Sequence, residues 1–105
     1  MKVALFGATG FVGSYIVDEL LNGGHKPVVL IRESSDEKLS QLSKCKVIKG
    51  DIDDVDAINN TIKSADAVIY CIGIIREFPN KGITFNNLHF QGAKTCMDSA
   101  IKLGV

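Results

Sequence analysis

The sequence predicts an α/β fold in which helices cover both faces of a parallel β-sheet. Residues 28–31 and 67–72 form two almost wholly apolar runs of strand length, and such continuous runs are typical of strands buried on both faces. A shorter aliphatic run, residues 3–6, leads directly into a glycine-rich turn, after which apolar residues recur at helical spacing. The chain therefore begins as strand, tight turn and helix.

The turn after the first strand contains three glycines with separate physical roles. Gly7 lets the chain turn sharply, Gly10 has no side chain to keep a phosphate from the backbone, and Gly13 lets the helix lie close to the sheet. The first turn of that helix has unpaired N–H groups and the positive end of the helix dipole, so it favours an anion. We therefore predict that the pyrophosphate of a dinucleotide binds here.

The first helix is predicted from one apolar stripe, which contains Val12, Tyr15, Ile16, Leu20 and Leu21. Two glycines, residues 23–24, end the helix by supplying a left-handed cap. Pro27 then opens the second strand, where its missing N–H matters least.

The turn has the spacing G-x-x-G-x-x-G and reads GATGFVG, which resembles the extended and atypical members of the short-chain dehydrogenase/reductase superfamily. The resemblance covers nearly the whole chain. It implies a Rossmann-type three-layer sheet of strand order 3-2-1-4 in one NAD(P)-binding domain, residues 1–105, which stops before a fifth strand. In this turn it implies cofactor contacts from Gly7, Thr9, Gly10, Phe11, Val12 and Gly13.

Arg32 follows the second strand, where an acidic residue would favour NAD and an arginine accommodates the 2′-phosphate of NADP. Ser34 and Ser35 could add hydroxyl donors, so the sequence favours NADP. NAD remains the alternative, because Glu33 could bind the ribose instead. Ser34 also forms a capping-box pattern with Glu37, which explains that serine without any ligand.

Two further helices are predicted on either side of the third strand, which spans residues 46–51. The first runs from about residue 36 to 43, with Leu39 and Leu42 inward. The second is capped by Asp53, and its inner face contains Val55, Ile58 and Ile62.

The resemblance also assigns cofactor contacts after the third and fourth strands. Asp51 and Ile52 are candidate adenine contacts, although residues 50–51 are also simply a good turn pair. Cys71, Ile72 and Gly73 occupy the place where a glycine lets the backbone pass close to the cofactor. After a loop over residues 73–83, Thr84 is predicted to cap a last helix with one face formed by Phe85, Leu88, Gly92, Cys96, Ala100 and Leu103.

His89 falls where many extended members have an asparagine. A branch that resembles an accessory subunit of NADH-ubiquinone oxidoreductase has a similar sequence here, with histidine at this position. That branch binds dinucleotide without being an obvious catalyst. His89 is therefore a candidate site residue that either orients the site or packs as a helix histidine under the sheet.

The superfamily's catalytic tyrosine and lysine, four residues apart, are missing. Only Tyr15 and Tyr70 exist, and Glu19 and Ile74 stand four residues after them, so no catalytic residue is assigned. We expect the cofactor-binding portion of an NADP-preferring oxidoreductase or a sugar-nucleotide epimerase/dehydratase-like protein. The alternatives are a non-catalytic dinucleotide-binding regulator or assembly factor, and a structural module that binds nothing.

Composition and length limit the other possibilities. Twelve basic and twelve acidic residues cancel, which argues against nucleic acid or a membrane as a partner. No apolar run approaches the ~20 residues of a membrane span, so we expect a cytoplasmic protein. Cys45, Cys71 and Cys96 are odd in number and widely spaced, which predicts reduced thiols and no metal site. We expect the first half of a longer protein, or a short descendant that self-associates through the open edge of its fourth strand.

Overall fold

The computed structural model describes residues 1–32, 41–74 and 76–105. These ranges contain four strands and three helices, in the order β1 (Lys2–Phe6), α1 (Phe11–Asn22), β2 (Lys26–Ile31), β3 (Lys46–Lys49), α2 (Val55–Ile62), β4 (Ala67–Tyr70) and α3 (Gly92–Leu103). Three short helical turns accompany them: 3-10 turns at Leu42–Lys44 and Pro79–Lys81, and a π-helical turn at Asn86–Gln91. Most of the predicted helix at 36–43 lies outside the described residues.

The four strands form one parallel sheet in the order β3-β2-β1-β4, which confirms the predicted topology. Phe6 at the end of β1 lies opposite Leu30 of β2 and Tyr70 of β4. β1 is therefore central, and the turn that follows it opens at the middle of the sheet. β4 is an edge strand and ends at Tyr70, two residues earlier than predicted.

Side chains that alternate along β1 divide the core into two layers. Leu5 packs with Val17 of α1 and Val29 of β2 on one face of the sheet. Phe6 packs with Ile58 of α2 and, in the same cluster, Cys96 of α3 on the other. The molecule thus has the three layers that the sequence predicts. None of the helices in the described ranges is long and apolar enough to cross a bilayer.

The inward face of α1 includes Ile16 and Leu21 of the predicted stripe, but its buried centre lies elsewhere. Gly13 and Val17 are buried, whereas Val12 and Tyr15 are 59% and 61% exposed. A Cβ atom at residue 13 would lie 1.8 Å from the Gly7 carbonyl oxygen. Because this close approach fixes which side of the helix meets the sheet, the buried face centres on Gly13 and not on Val12.

α2 also begins one residue later than predicted, and its cap is Asp54 rather than Asp53. The Asp54 carboxylate accepts a hydrogen bond from the Ala57 N–H at 3.2 Å. Ile58 and Ile62 are buried as expected, but Val55 is 53% exposed. A buried Thr61 takes part in the inner face, and its hydroxyl donates to the Ala57 carbonyl at 2.7 Å.

The last helical segment is interrupted. Thr84 caps it as predicted, since its hydroxyl oxygen accepts from the Asn87 N–H at 3.0 Å. The π-helical turn follows, and only then does α3 bury Gly92, Cys96 and Ser99. Phe85 lies before the π-helical turn and is 44% exposed, and at the other end of α3 Leu103 is 40% exposed. The predicted single face is therefore buried only in its middle.

Candidate functional site

A cleft of about 570 Å³ opens at the carboxyl ends of the strands. Each of the four strands contributes the segment that follows it: the glycine turn after β1, Arg32 after β2, residues 50–53 after β3 and residues 71–74 after β4. Open parallel sheets bind their ligands at this edge, where loops from several strands converge.

The glycine turn is shaped by its backbone. Gly7 has a φ of +102°, which favours glycine, and its carbonyl oxygen accepts from the Gly10 N–H at 3.1 Å. A Cβ atom on Gly7 would lie 2.9 Å from the backbone of Cys71 and Ile72, so the turn also lies directly against the segment after β4. The absence of side chains at residues 7 and 13 thus brings strand, helix and neighbouring loop together.

The amino end of α1 directly follows this turn and begins with free amides. Gly10 caps the helix in an extended conformation, and the first intrahelical bond runs from the Ser14 N–H to the Gly10 carbonyl at 2.9 Å. The N–H groups of Phe11, Val12 and Gly13 precede that bond, so they have no acceptor within the helix. In this fully described helix the first turn holds no acidic residue, and Gly10 is exposed in the cleft. The arrangement attracts an anion.

The cleft gathers most of the predicted cofactor-binding residues. Its lining includes Gly7, Thr9, Gly10, Arg32, Asp51, Ile52, Cys71, Ile72 and Gly73. Among the described residues, Phe11, Val12, Gly13 and His89 do not line it. The Phe11 side chain is 80% exposed and packs edge-on against Tyr15 outside the cleft, 5.3 Å between ring centroids. Ser34 lies outside the described residues.

The sequence analysis missed one wall of the cleft. Leu88, Gln91 and Thr95 line it from the start of the last helical segment. A Cβ atom on Gly92 would lie 2.5 Å from the Tyr70 hydroxyl and 2.9 Å from Ile52 Cγ1, so this segment lies against the candidate adenine contact. Residues 88, 91, 92 and 95 have the spacing of one helix face, which is the signal that could have identified them. Lys81 and Asn87 also line the cleft from the preceding loop.

Two titratable groups beside the cleft, the Tyr70 phenol and the Cys71 thiol, hold their protons more tightly than usual. Burial, followed by the charges of Cys96 and Cys71, raises the pKa of Tyr70 to about 12. The Tyr70 hydroxyl donates to the Leu88 carbonyl at 2.5 Å. Burial also raises the pKa of the Cys71 thiol, which donates to the Phe6 carbonyl at 3.2 Å. Within the described ranges no group of histidine, cysteine and acidic residues could hold a metal ion.

Comparisons with known proteins agree with this geometry. A family model described as NAD(P)H-binding matches residues 7–105. The mitochondrial NADH-ubiquinone oxidoreductase 40 kDa subunit of Neurospora crassa is 30% identical over 105 residues, which cover 96% of this chain and 28% of that protein. Ceramide reductase of Caulobacter vibrioides is 30% identical over 102 residues, which cover 97% of this chain and 32% of that protein.

A solved structure extends the comparison to a bound cofactor. The Bordetella bronchiseptica enzyme WbmH, crystallised in complex with NAD+, matches 99% of this chain and 36% of its own with a TM-score of 0.79 and 25% identity. The chain thus spans roughly a third of the length of each of these proteins. The resemblance to extended short-chain dehydrogenases/reductases is confirmed. The chain belongs to the NAD(P)H-binding family, as a dinucleotide-binding domain with reductase and epimerase-like relatives.

Proposed function

We propose that this chain is the cofactor-binding portion of an NADP(H)-preferring oxidoreductase or epimerase/dehydratase-like protein. The observation that carries the proposal is that Arg32 lines the same cleft as the bare backbone at Gly7 and Gly10. An arginine in the lining and free amides at the turn suit a dinucleotide with an additional phosphate on its adenosine ribose.

The cleft supports one orientation of the dinucleotide. The pyrophosphate would lie over Gly7 and Gly10, where the helix end attracts its charge. The adenosine end would then lie toward Arg32 and the wall at Asp51 and Ile52. The nicotinamide end would extend past Gly73. In the family the nicotinamide ring carries out the hydride transfer, and this chain would bind the cofactor and orient that ring.

Binding of the two cofactors, measured separately by calorimetry, tests the preference. We expect NADPH to bind more tightly than NADH, and Arg32→Ala to weaken NADPH by roughly 10- to 100-fold because charge-assisted hydrogen bonds are lost. NADH affinity should change much less. Lys63→Ala is the matched control, because this exposed lysine follows α2 and lies away from the cleft. The nearby Asp66 N–H donates to the Lys2 carbonyl, which is at the amino ends of the strands, whereas the cleft is at their carboxyl ends. An unchanged NADPH preference in Arg32→Ala would count against a role for Arg32, whereas tighter binding of NADH than of NADPH by the wild-type chain would favour NAD.

A second variant tests where the pyrophosphate lies. Gly10→Val should weaken both dinucleotides by at least about 100-fold, because its side chain would occupy the space over the free amides. The free energy of unfolding should change by less than about 1 kcal/mol, since the nearest atom to a residue-10 Cβ is the Gly7 oxygen at 3.4 Å. Gly10→Ala should give a smaller loss. Wild-type affinity in the valine variant would mean that the ligand binds elsewhere.

Two roles of the whole protein, one catalytic and one not, are separate proposals. The enzyme hypothesis requires an acid–base pair that these 105 residues lack, since Tyr15 and Tyr70 have no lysine four residues later. The alternative is a non-catalytic dinucleotide-binding regulator or assembly factor. The 30% sequence identity to a subunit of NADH-ubiquinone oxidoreductase supports this alternative. A Tyr-x-x-x-Lys encoded beyond Val105 would favour the enzyme, and its absence there would favour the regulator.

We further propose self-association through β4 and a cytoplasmic location. β4 pairs only with β1 among the described strands, and edge strands readily pair with another chain. Sedimentation over a range of concentrations should give a dimer, and a monomer at every concentration would contradict the pairing.

The cytoplasmic location is supported by the cysteines, since all three are free thiols, which suits a reducing compartment. Fractionation of cells should recover the protein in the cytoplasm; recovery in an organelle would contradict that location.

A further inference from the structure

The π-helical turn at Asn86–Gln91 is the least regular part of the described helices. The N–H of Gly92, which ends it, donates to the carbonyl of Asn87, five residues earlier, and α3 begins immediately afterwards. Helices rarely contain such a turn, and those that do often have it at a functional site. The turn therefore calls for a physical reason.

Two successive residues of this turn are hydrogen-bonded, one to Tyr70 at the end of β4 and the other to Ile74 in the segment after it. The Leu88 carbonyl accepts the Tyr70 hydroxyl at 2.5 Å. Nε2 of His89 accepts the backbone N–H of Ile74 at 2.9 Å. Side chains thus join the π-helical turn once to β4 and once to the segment after β4, and both the turn and that segment line the cleft.

His89 makes its contact as a hydrogen-bond acceptor and not as a packed side chain. The residue is exposed, so burial contributes little to its position. Its ring lies 5.4 Å from the Phe85 ring, and a Cβ atom added to Gly73 would lie 3.7 Å from its Nε2. To accept this hydrogen bond, Nε2 must carry no hydrogen, which is the tautomer with its hydrogen on Nδ1.

We propose that His89 is a positioning residue for the dinucleotide, acting through Ile74 and not by touching the cofactor. By accepting the Ile74 N–H, its ring holds residues 71–74 in the conformation that forms one wall of the cleft. Without that hydrogen bond, this wall would lose its side-chain contact with the π-helical turn at residue 89. This inference rests on the proposed binding of the dinucleotide in the cleft.

Three substitutions separate the hydrogen bond from the shape of the ring. His89→Gln keeps an acceptor oxygen at nearly the same reach, whereas His89→Leu keeps bulk without an acceptor. We expect the glutamine variant to bind NADPH within about twofold of wild type and the leucine variant to bind about five- to tenfold more weakly. Phe90→Leu is the matched control in the same turn, because Phe90 is 55% exposed and does not belong to the described lining of the cleft. It should bind as wild type does.

Hydrogen exchange at the Ile74 amide provides a readout that does not depend on the cofactor. Exchange should be faster in His89→Leu than in wild type and should return toward the wild-type rate in His89→Gln. If the leucine variant is too unstable to measure, His89→Ala takes its place with the same expected results. Wild-type affinity in the leucine or alanine variant, or equal losses with leucine and glutamine, would overturn the positioning role alone. Failure of the wild-type chain to bind either dinucleotide would overturn the proposed function as well.

Discussion

The glycine turn after β1 and the connection after β4 form two walls of one cleft, but they are held in different ways. In the turn, backbone meets backbone: the Gly10 N–H donates to the Gly7 carbonyl, and Gly13 lies against that same carbonyl. In the connection, side chains meet backbone through Tyr70 and His89. The first wall therefore depends on the absence of side chains and the second on the presence of particular ones.

This difference is accompanied by a difference in burial. Ala8 within the glycine turn is 1% exposed, whereas Phe78, Phe85 and Phe90 in and after the connection are 44%, 44% and 55% exposed. Segments with few buried apolar contacts open at lower free energy than the core. The buried start of the turn around Ala8 is therefore expected to open at a higher free energy than the exposed part of the connection.

Gly13→Ala should have the largest effect on stability, because the added Cβ would lie 1.8 Å from the oxygen and 2.7 Å from the carbon of the Gly7 carbonyl. Both atoms belong to the backbone of the central strand's turn, so the helix itself must move away. We expect the free energy of unfolding, measured by urea titration, to fall by about 3 kcal/mol or more.

Glu19→Ala is the control for this substitution, since Glu19 is an exposed residue of the same helix. Its effect should stay within about 0.5 kcal/mol. A loss below about 1 kcal/mol in Gly13→Ala would contradict the view that the turn is held by a backbone contact that cannot relax.

Gly92→Ala makes the corresponding test at the first residue of α3, which lies against the end of β4, and it should have a smaller effect. Its Cβ would lie 2.5 Å from the Tyr70 hydroxyl and 2.9 Å from Ile52 Cγ1, and both of these atoms are at the ends of side chains. Because side-chain ends can shift more readily than backbone, we expect a loss of about 1–2 kcal/mol in the free energy of unfolding. The measurement is again a urea titration.

A double-mutant cycle identifies the contact responsible. In a Tyr70→Phe background the hydroxyl is gone, and Gly92→Ala should therefore cost less than it does in the wild-type chain. An equal cost in both backgrounds would show that the Tyr70 hydroxyl is not what limits space at residue 92.

The same contrast explains what the sequence could predict. Gly7, Gly10 and Gly13 follow one another at short range, and their roles depend on the backbone around them, so the turn was predictable from the residues. The sheet order came from the family resemblance that this turn carries. The bond between His89 and Ile74 joins residues 15 apart across an irregular segment, and periodicity predicts regular helices. The π-helical turn therefore could not be predicted, although the helical spacing of Leu88, Gln91 and Thr95 already indicated that they share one face.

Errors of one position at α1 and α2 have a similar cause. Val12 and Val55 are apolar and fit a helical stripe, but the close approach at Gly13 and the cap at Asp54 turn each helix so that these valines face outward. Local apolar spacing does not reveal where a helix meets its neighbour. That rotation is set by tertiary contacts, which a single sequence does not display.

The smallest expected effect concerns the hydroxyl of Tyr70 at alkaline pH. Burial raises its pKa from the ordinary 10.0 to about 12, so the folded chain holds the phenolic proton more tightly than the unfolded chain does. This contribution to stability is complete below pH 10 and is lost as the pH rises toward 12. Below pH 10, Tyr70→Phe should lower the free energy of unfolding by about 1 kcal/mol through the lost bond to Leu88.

Above that pH the difference between the two chains should shrink, because only the wild-type chain loses the contribution of the phenolic proton. Burial also raises the pKa of Cys96 to about 12, but its thiol is present in both chains, and most of its effect cancels when one unfolding free energy is subtracted from the other. Urea titrations of both chains at intervals from about pH 8 to about pH 11 measure this difference. A difference that stayed constant with pH would mean that the hydroxyl is as well solvated in the folded chain as in the unfolded one, and that Tyr70 does not hold the π-helical turn.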